Sequence, residues 1–182
     1  DSRYVPRHRF FSNVIWELPL GMGRRLLNRR GPLDWILGRW QISGTYVAQT
    51  GEYFTPVFSG ADPSNTNTFG GVADRLRDGN LSGSERSIDR WFDASAFAAP
   101  PNGRFGNAGR GILIGPGRQS LSLGLFKSFR IAEHSAVRVQ GTATNALNHP
   151  NFGSPNLDIS VPAAVGRIRS IQSRDFGGRR EV

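Results

Sequence analysis

Residues 119–131 read QSLSLGLFKSFRI, and residues 136–147 read AVRVQGTATNAL. In the first stretch Leu121, Leu123, Leu125, Phe129 and Ile131 alternate, together with Lys127, against Ser120, Ser122, Gly124, Phe126, Ser128 and Arg130. In the second, Val137, Val139, Gly141, Ala143 and Leu147 alternate against Arg138, Gln140, Thr142 and Thr144. Successive side chains of a strand point to opposite faces, so this period of two gives each stretch one apolar and one polar face. Only residues 132–135, beginning Ala132-Glu133-His134, separate them, which makes them an antiparallel hairpin. Each member runs to about 11 residues, and a transmembrane β-strand needs about 9–11. Strands of soluble sandwiches more often run about 5–6 residues, so length decides in favour of a barrel wall.

The same pattern recurs upstream. In residues 39–50, Trp40, Ile42, Gly44, Tyr46 and Ala48 oppose Arg39, Gln41, Ser43, Thr45 and Gln49, with Val47 the exception. Residues 9–18 are rich in aromatic and β-branched residues, with Phe10, Val14, Trp16 and Leu18 on one parity and Phe11, Asn13, Ile15 and Glu17 on the other. Extended structure resumes at 53–58 after Gly51. Between the strands lie a medium connection at 19–38, a long turn-rich one at 59–118, a very short one at 132–135 and a medium one at 148–165. A loop as long as 59–118 is out of place in a compact soluble domain, whereas outer loops of barrels are long. The 19–38 connection is long for a periplasmic turn, so the alternation of short turns and long loops fits only in part.

Composition agrees with a strand-and-turn chain. Of 182 residues, 23 are Gly and 11 Pro, and only 37% are hydrophobic, a thin supply for a soluble core but enough for strands that need one apolar face. Net charge is +9, with Lys127 the single lysine among 23 basic residues. Such charge suits nucleic acid or an anionic surface. The arginines, however, are scattered over loops and strand faces and form no single stripe, which points to solvated positions and no nucleic-acid partner. With no cysteine there is no disulfide framework and no thiolate metal site. No run approaches the roughly 18 apolar residues of a transmembrane helix. The chain opens on Asp1-Ser2-Arg3, without signal-peptide character, and we expect it to be a piece of something longer.

Several stretches, in order, resemble the C-terminal barrel of Oar-like TonB-dependent receptors. They are Trp16-Glu17-Leu18-Pro19-Leu20-Gly21-Met22-Gly23-Arg24-Arg25, Leu37-Gly38-Arg39-Trp40-Gln41-Ile42-Ser43-Gly44 and Gln49-Thr50-Gly51. Then come Arg90-Trp91-Phe92-Asp93 with Ala96-Phe97, and Pro100-Pro101 with Phe105-Gly106-Asn107-Ala108-Gly109-Arg110. Gly115-Pro116-Gly117, Leu125-Phe126-Lys127 and Asn145-Ala146-Leu147-Asn148-His149-Pro150-Asn151-Phe152-Gly153 complete the series. It covers residues 6–168. The resemblance implies an outer-membrane location and an N-terminal plug, often behind a carboxypeptidase-regulatory-like domain. It also implies TonB–ExbB–ExbD as the energy source, with outer-membrane lipid, the plug and the remaining barrel strands as partners. After Gly166-Arg167-Ile168 the family's closing, aromatic-ended strand is not recognisable, and residues 169–182 read as a divergent tail following a barrel segment at 1–168.

The candidate site residues divide by chemistry. Arg39, Gln41, Arg138 and Gln140, on polar faces, are candidates to line a lumen. Trp16 and Trp40 flank the 19–38 connection and are candidates for an interface girdle. Arg90-Trp91-Phe92-Asp93 is a loop motif. Asp89 and Asp93 beside those aromatics suggest a sugar site, but the resemblance favours packing within the loop, and no catalytic residue is assigned there or at Glu17 and Glu133. His149 sits in an Asn/Pro turn far from His8 and His134, so no metal site is assigned. Gly106-Asn107-Ala108-Gly109-Arg110-Gly111 lacks the Gly-Lys-Ser/Thr ending of a phosphate loop. The sequence therefore reads as an all-β protein: antiparallel strands of an incomplete transmembrane β-barrel with long loops, not an enzyme and without a cofactor. The alternative is a soluble, basic, β-rich module that binds carbohydrate or nucleic acid.

Overall fold

The computed structural model describes residues 6–29, 31–132, 135–172 and 180–181. In chain order the strands are β1 (Arg9–Glu17), β2 (Trp40–Gln49), β3 (Tyr53–Phe54), β4 (Val57–Phe58), β5 (Gly71–Val72), β6 (Asp74–Arg75), β7 (Phe97–Ala98), β8 (Leu113–Ile114), β9 (Arg118–Ala132), β10 (Ser135–Ala143), β11 (Ser170–Ile171) and β12 (Arg180–Glu181). Among the described residues, helix is confined to the short α1 (Pro32–Leu37) and a 3-10 turn at Ala94–Ala96. The chain divides into two units: Phe10–Ala48 with Gln119–His149, and Asp1–Arg9 with Gln49–Arg118 and Pro150–Val182.

The first unit is one four-stranded sheet in the order β1-β2-β9-β10. The hairpin read from sequence is β9–β10, paired antiparallel with Val137 opposite Phe129, Val139 opposite Lys127 and Gly141 opposite Leu125. β9 runs 15 residues and β10 ends at Ala143. The alternation that continues to Leu147 lies beyond it, where Asn145 and Asn148 adopt positive φ (47° and 48°) and turn the chain. β2 meets β9 antiparallel: Ser128 donates its N–H to the Arg39 carbonyl at one end, and Tyr46 reaches Gln119 at the other. β1 meets β2 with the Leu18 N–H on the Trp40 carbonyl. Residues 18–39 and the 133–134 link, which itself lies outside the described residues, therefore leave the sheet at the same end.

The long segment 59–118 is not an irregular loop. Together with 49–58, 150–172 and 180–181 it packs a second unit built from two-residue strand pairs: β3 with β8, β4 with β5, β6 with β7, and β11 with β12. Its core is Ala73, Phe92, Ala96, Phe97 and Leu113, ringed by Phe54, Trp91, Ile112, Leu157, Ile159 and Val165. Phe92 and Phe97 meet edge to face with centroids 6.0 Å apart. Gly106 is needed for close approach, since a Cβ there would fall 1.8 Å from the Val72 carbonyl oxygen. Of the tail expected at 169–182, residues 173–179 and 182 lie outside the described residues.

Candidate functional site: two faces of a strand sheet

The register carries each strand's alternation across the whole sheet. Ser128, whose N–H reaches the Arg39 carbonyl, lies opposite Arg138, and the two share a row on one face. Gln41, Phe126 and Gln140 form the adjacent row. Three of the four polar residues singled out in sequence, Gln41, Arg138 and Gln140, therefore come together on one face, whereas Arg39 precedes β2 at positive φ (60°) and approaches Asp34 of α1 at 3.8 Å. Arg138 links two strands directly: its Nη2 donates to Gln41 Oε1 at 2.9 Å, and its guanidinium stacks 4.5 Å from the Phe126 ring centroid. Gly124 opens the space this needs, since a Cβ there would lie 2.5 Å from Ser43 Oγ and 2.9 Å from the Phe126 ring.

The opposite face carries Phe10, Val14, Trp16, Trp40, Ile42, Tyr46, Leu123, Leu125, Phe129, Val137 and Val139. Phe10, Trp16, Leu125 and Val139 among them are solvent-exposed in the isolated chain. Trp16 and Trp40 lie on this face near the end where 18–39 emerges. Trp16 is open, whereas Trp40 is half-covered and donates Nε1–H to the Ile36 carbonyl at 3.0 Å. Lys127 shares this apolar face and is only 4% exposed. Its ammonium donates to the Ile36 and Gly38 carbonyls at 2.8 and 2.6 Å, and lies 5.1 Å from both the Trp40 and Phe129 ring centroids. These carbonyls end α1 and have no helical partner, so a cation there is doubly favoured. Sequence reading noted Lys127 as a misfit but gave no sign of its partners, which come from a connection 89 and 91 residues away.

In the loop unit, Arg90-Trp91-Phe92-Asp93 is woven into the framework. Phe92 is 2% exposed in the core. Trp91 donates its backbone N–H to Gly166 and Nε1–H to Ile114, and Arg86 stacks on its ring. Asp93 caps the 3-10 turn by accepting from the Ser95 amide and hydroxyl, and it pairs with Arg77 at 2.7 Å. Those Ser95 bonds, and then Arg77, hold its carboxyl below the ordinary carboxylate value. Arg90 is exposed and approaches Asp93 at 3.6 Å. A pair that sequence reading missed is the buried Asp74 with the exposed Arg104. The guanidinium forks onto both carboxylate oxygens, and Oδ1 also accepts the Asn107 N–H at 2.9 Å. Asn145 ties the turn around His149 by accepting its N–H and donating to its carbonyl. Among the described residues, no group of three or more His, Cys, Asp and Glu is placed to hold a metal.

A sheet of barrel-length strands, apolar on one face and, outside β1's Phe11 and Ile15, mainly polar on the other, with both edges unpaired among the described residues, is a section of β-barrel wall. The chain belongs to the outer membrane beta barrel domain family, whose model matches residues 1–182. No curated protein and no solved structure matches it. Membership places the protein in the bacterial outer membrane and sets aside the soluble-module alternative.

Proposed function

We propose that the chain is wall and outer-loop structure of a TonB-dependent transporter of the Oar-like kind, working without chemistry on its own residues. The observation that carries the reading is the segregation of the sheet's two faces. The rows Ser128–Arg138 and Gln41–Phe126–Gln140 would face the lumen, and the Trp16/Trp40 face would meet lipid, with both tryptophans near one interface. The ordered motif series from residue 6 to 168 supports the finer, TonB-dependent assignment. In that role the strand edges of β1 and β10 pair with further wall strands, a plug occupies the lumen, and TonB–ExbB–ExbD supplies the energy. Neither nucleic acid nor a cofactor has a part. The test is uptake by cells expressing the whole gene, with and without TonB or ExbB–ExbD. Loss of accumulation without them is the expected result, and unchanged accumulation would make the barrel a passive pore or a structural protein.

A further inference from the structure

The connection between β1 and β2 is ordered yet inside out. Its backbone polar groups pair within the segment. The Leu26 N–H bonds the Pro19 carbonyl, and the Gly21 N–H bonds the Leu26 carbonyl. Asp34 Oδ1 accepts the Met22 N–H at 2.6 Å, and the Gly38 N–H closes α1 on the Asp34 carbonyl. Its apolar side chains point the other way: Met22, Leu26, Leu33, Trp35, Ile36 and Leu37 are all exposed. A soluble loop with so many satisfied backbone groups would fold such side chains under itself.

Two further facts say what covers them. First, α1 lies against the sheet's apolar face and not its polar one: the Trp35 ring sits 5.0 Å from Phe129, and Lys127 on that face holds the α1 carbonyls. The exposed patch is therefore continuous with the surface that meets lipid. Second, the segment is basic. Arg24 pairs with Glu17 and Arg39 approaches Asp34, but Arg25 and Arg29 are exposed, with no ion-pair partner among the described residues. Apolar side chains with an interfacial Trp and flanking arginines are the make-up of a segment lying in the headgroup region. The segment leaves the sheet at the same end as the two-residue β9–β10 link, and short links mark the periplasmic end of an outer-membrane barrel.

We propose that residues 20–29 and 31–37 form an interfacial anchor that seats on the inner, phospholipid leaflet, with α1 sunk among acyl chains and Arg25 and Arg29 on anionic headgroup phosphates. Lys127 is its clamp, fixing α1 against the wall. The anchor rests on the apolar face meeting lipid, but not on TonB-dependent transport.

The test dilutes the full chain from detergent into phosphatidylcholine vesicles with or without phosphatidylglycerol and reads partition by flotation. Arg25→Gln with Arg29→Gln is compared with the equal charge change Arg110→Gln with Arg167→Gln in the loop unit. About fivefold weaker partition per anchor arginine, or about thirtyfold for the pair, is expected on phosphatidylglycerol vesicles only. The control pair is expected to change little. Equal losses for the two pairs would reduce the effect to general basicity and overturn the anchor. A nitroxide at Leu33→Cys should be reached by oxygen and shielded from a water-soluble nickel complex. Access by nickel, or shielding from both quenchers as under a protein partner, overturns the proposal. A nitroxide at Val139→Cys separates the two readings. If it is lipid-exposed while Leu33→Cys is wet, the anchor alone fails; if both are wet, the lipid-facing wall fails with it.

Discussion

Replacing Asp74 by Ala should loosen one defined part of the loop unit. The carboxylate side chain is 7% exposed, whereas that of Arg104 is 46% exposed. Solvent therefore screens the pair, and we take about 1–2 kcal/mol for its two charge-assisted bonds. Asn107 loses the acceptor for its N–H as well, which costs about 1–2 kcal/mol more if no water replaces it. The sum, about 2–4 kcal/mol, should appear as roughly thirty- to thousandfold faster hydrogen exchange at the Asn107 amide and at Ala108, whose N–H bonds the Ala73 carbonyl. Arg104→Ala should cost about 3 kcal/mol, because it strands a buried carboxylate. The double variant should cost less than the two singles added, since one interaction is counted in both. Exchange within about threefold of the parent in Asp74→Ala, or strict additivity in the double, would refute the view that this pair pins residues 104–108 to β6.

Other outcomes follow from the same packing. Phe92→Ala should destabilise the loop unit by about 3–5 kcal/mol and open residues 73–113 to limited proteolysis, because an edge-to-face aromatic core loses one of its two rings. Asp93 has a depressed pKa when folded, so its contribution is fully present above the ordinary Asp value of about 3.9 and is lost as pH falls through the lower folded value. Asp93→Asn should therefore flatten the acid limb of the loop unit's stability curve below about pH 4 while leaving its slope near neutrality unchanged. In an assembled barrel, Arg138→Ala should reduce anion preference in single-channel recordings with less than about 1 kcal/mol change in stability, since its hydrogen bond to Gln41 is exposed. With β1 and β10 unpaired at both edges among the described residues, the chain alone should associate in detergent-free buffer, and a sedimentation pattern of clean monomers would contradict that.

The strand faces were legible because period-two alternation is a local property: the parity of Trp40, Leu125 and Val139 is visible without knowing their neighbours. The register was not, since nothing within β2 says that Arg39 lies beside Ser128. It emerged only with the sheet, and with it the Arg138–Gln41 bond. α1 escaped notice because its six residues, Pro32–Leu37, are apolar nearly all round and show no helical stripe. The loop unit was read as turns because its core residues Ala73, Phe92, Phe97 and Leu113 stand on separate short pieces, too far apart to form a period. Asp74 and Arg104 are 30 residues apart, which no spacing rule connects.

The central claim, a wall with lipid on one face and water on the other, is tested most directly along β10. The chain has no cysteine of its own, so single cysteines can be placed one at a time from residue 137 to 142 in the membrane-assembled protein and treated with a membrane-impermeant maleimide. The account predicts labelling that alternates, high at 138, 140 and 142 and low at 137, 139 and 141, where brominated lipids should instead quench an attached fluorophore. Uniform labelling at all six positions, or the opposite alternation, would contradict it.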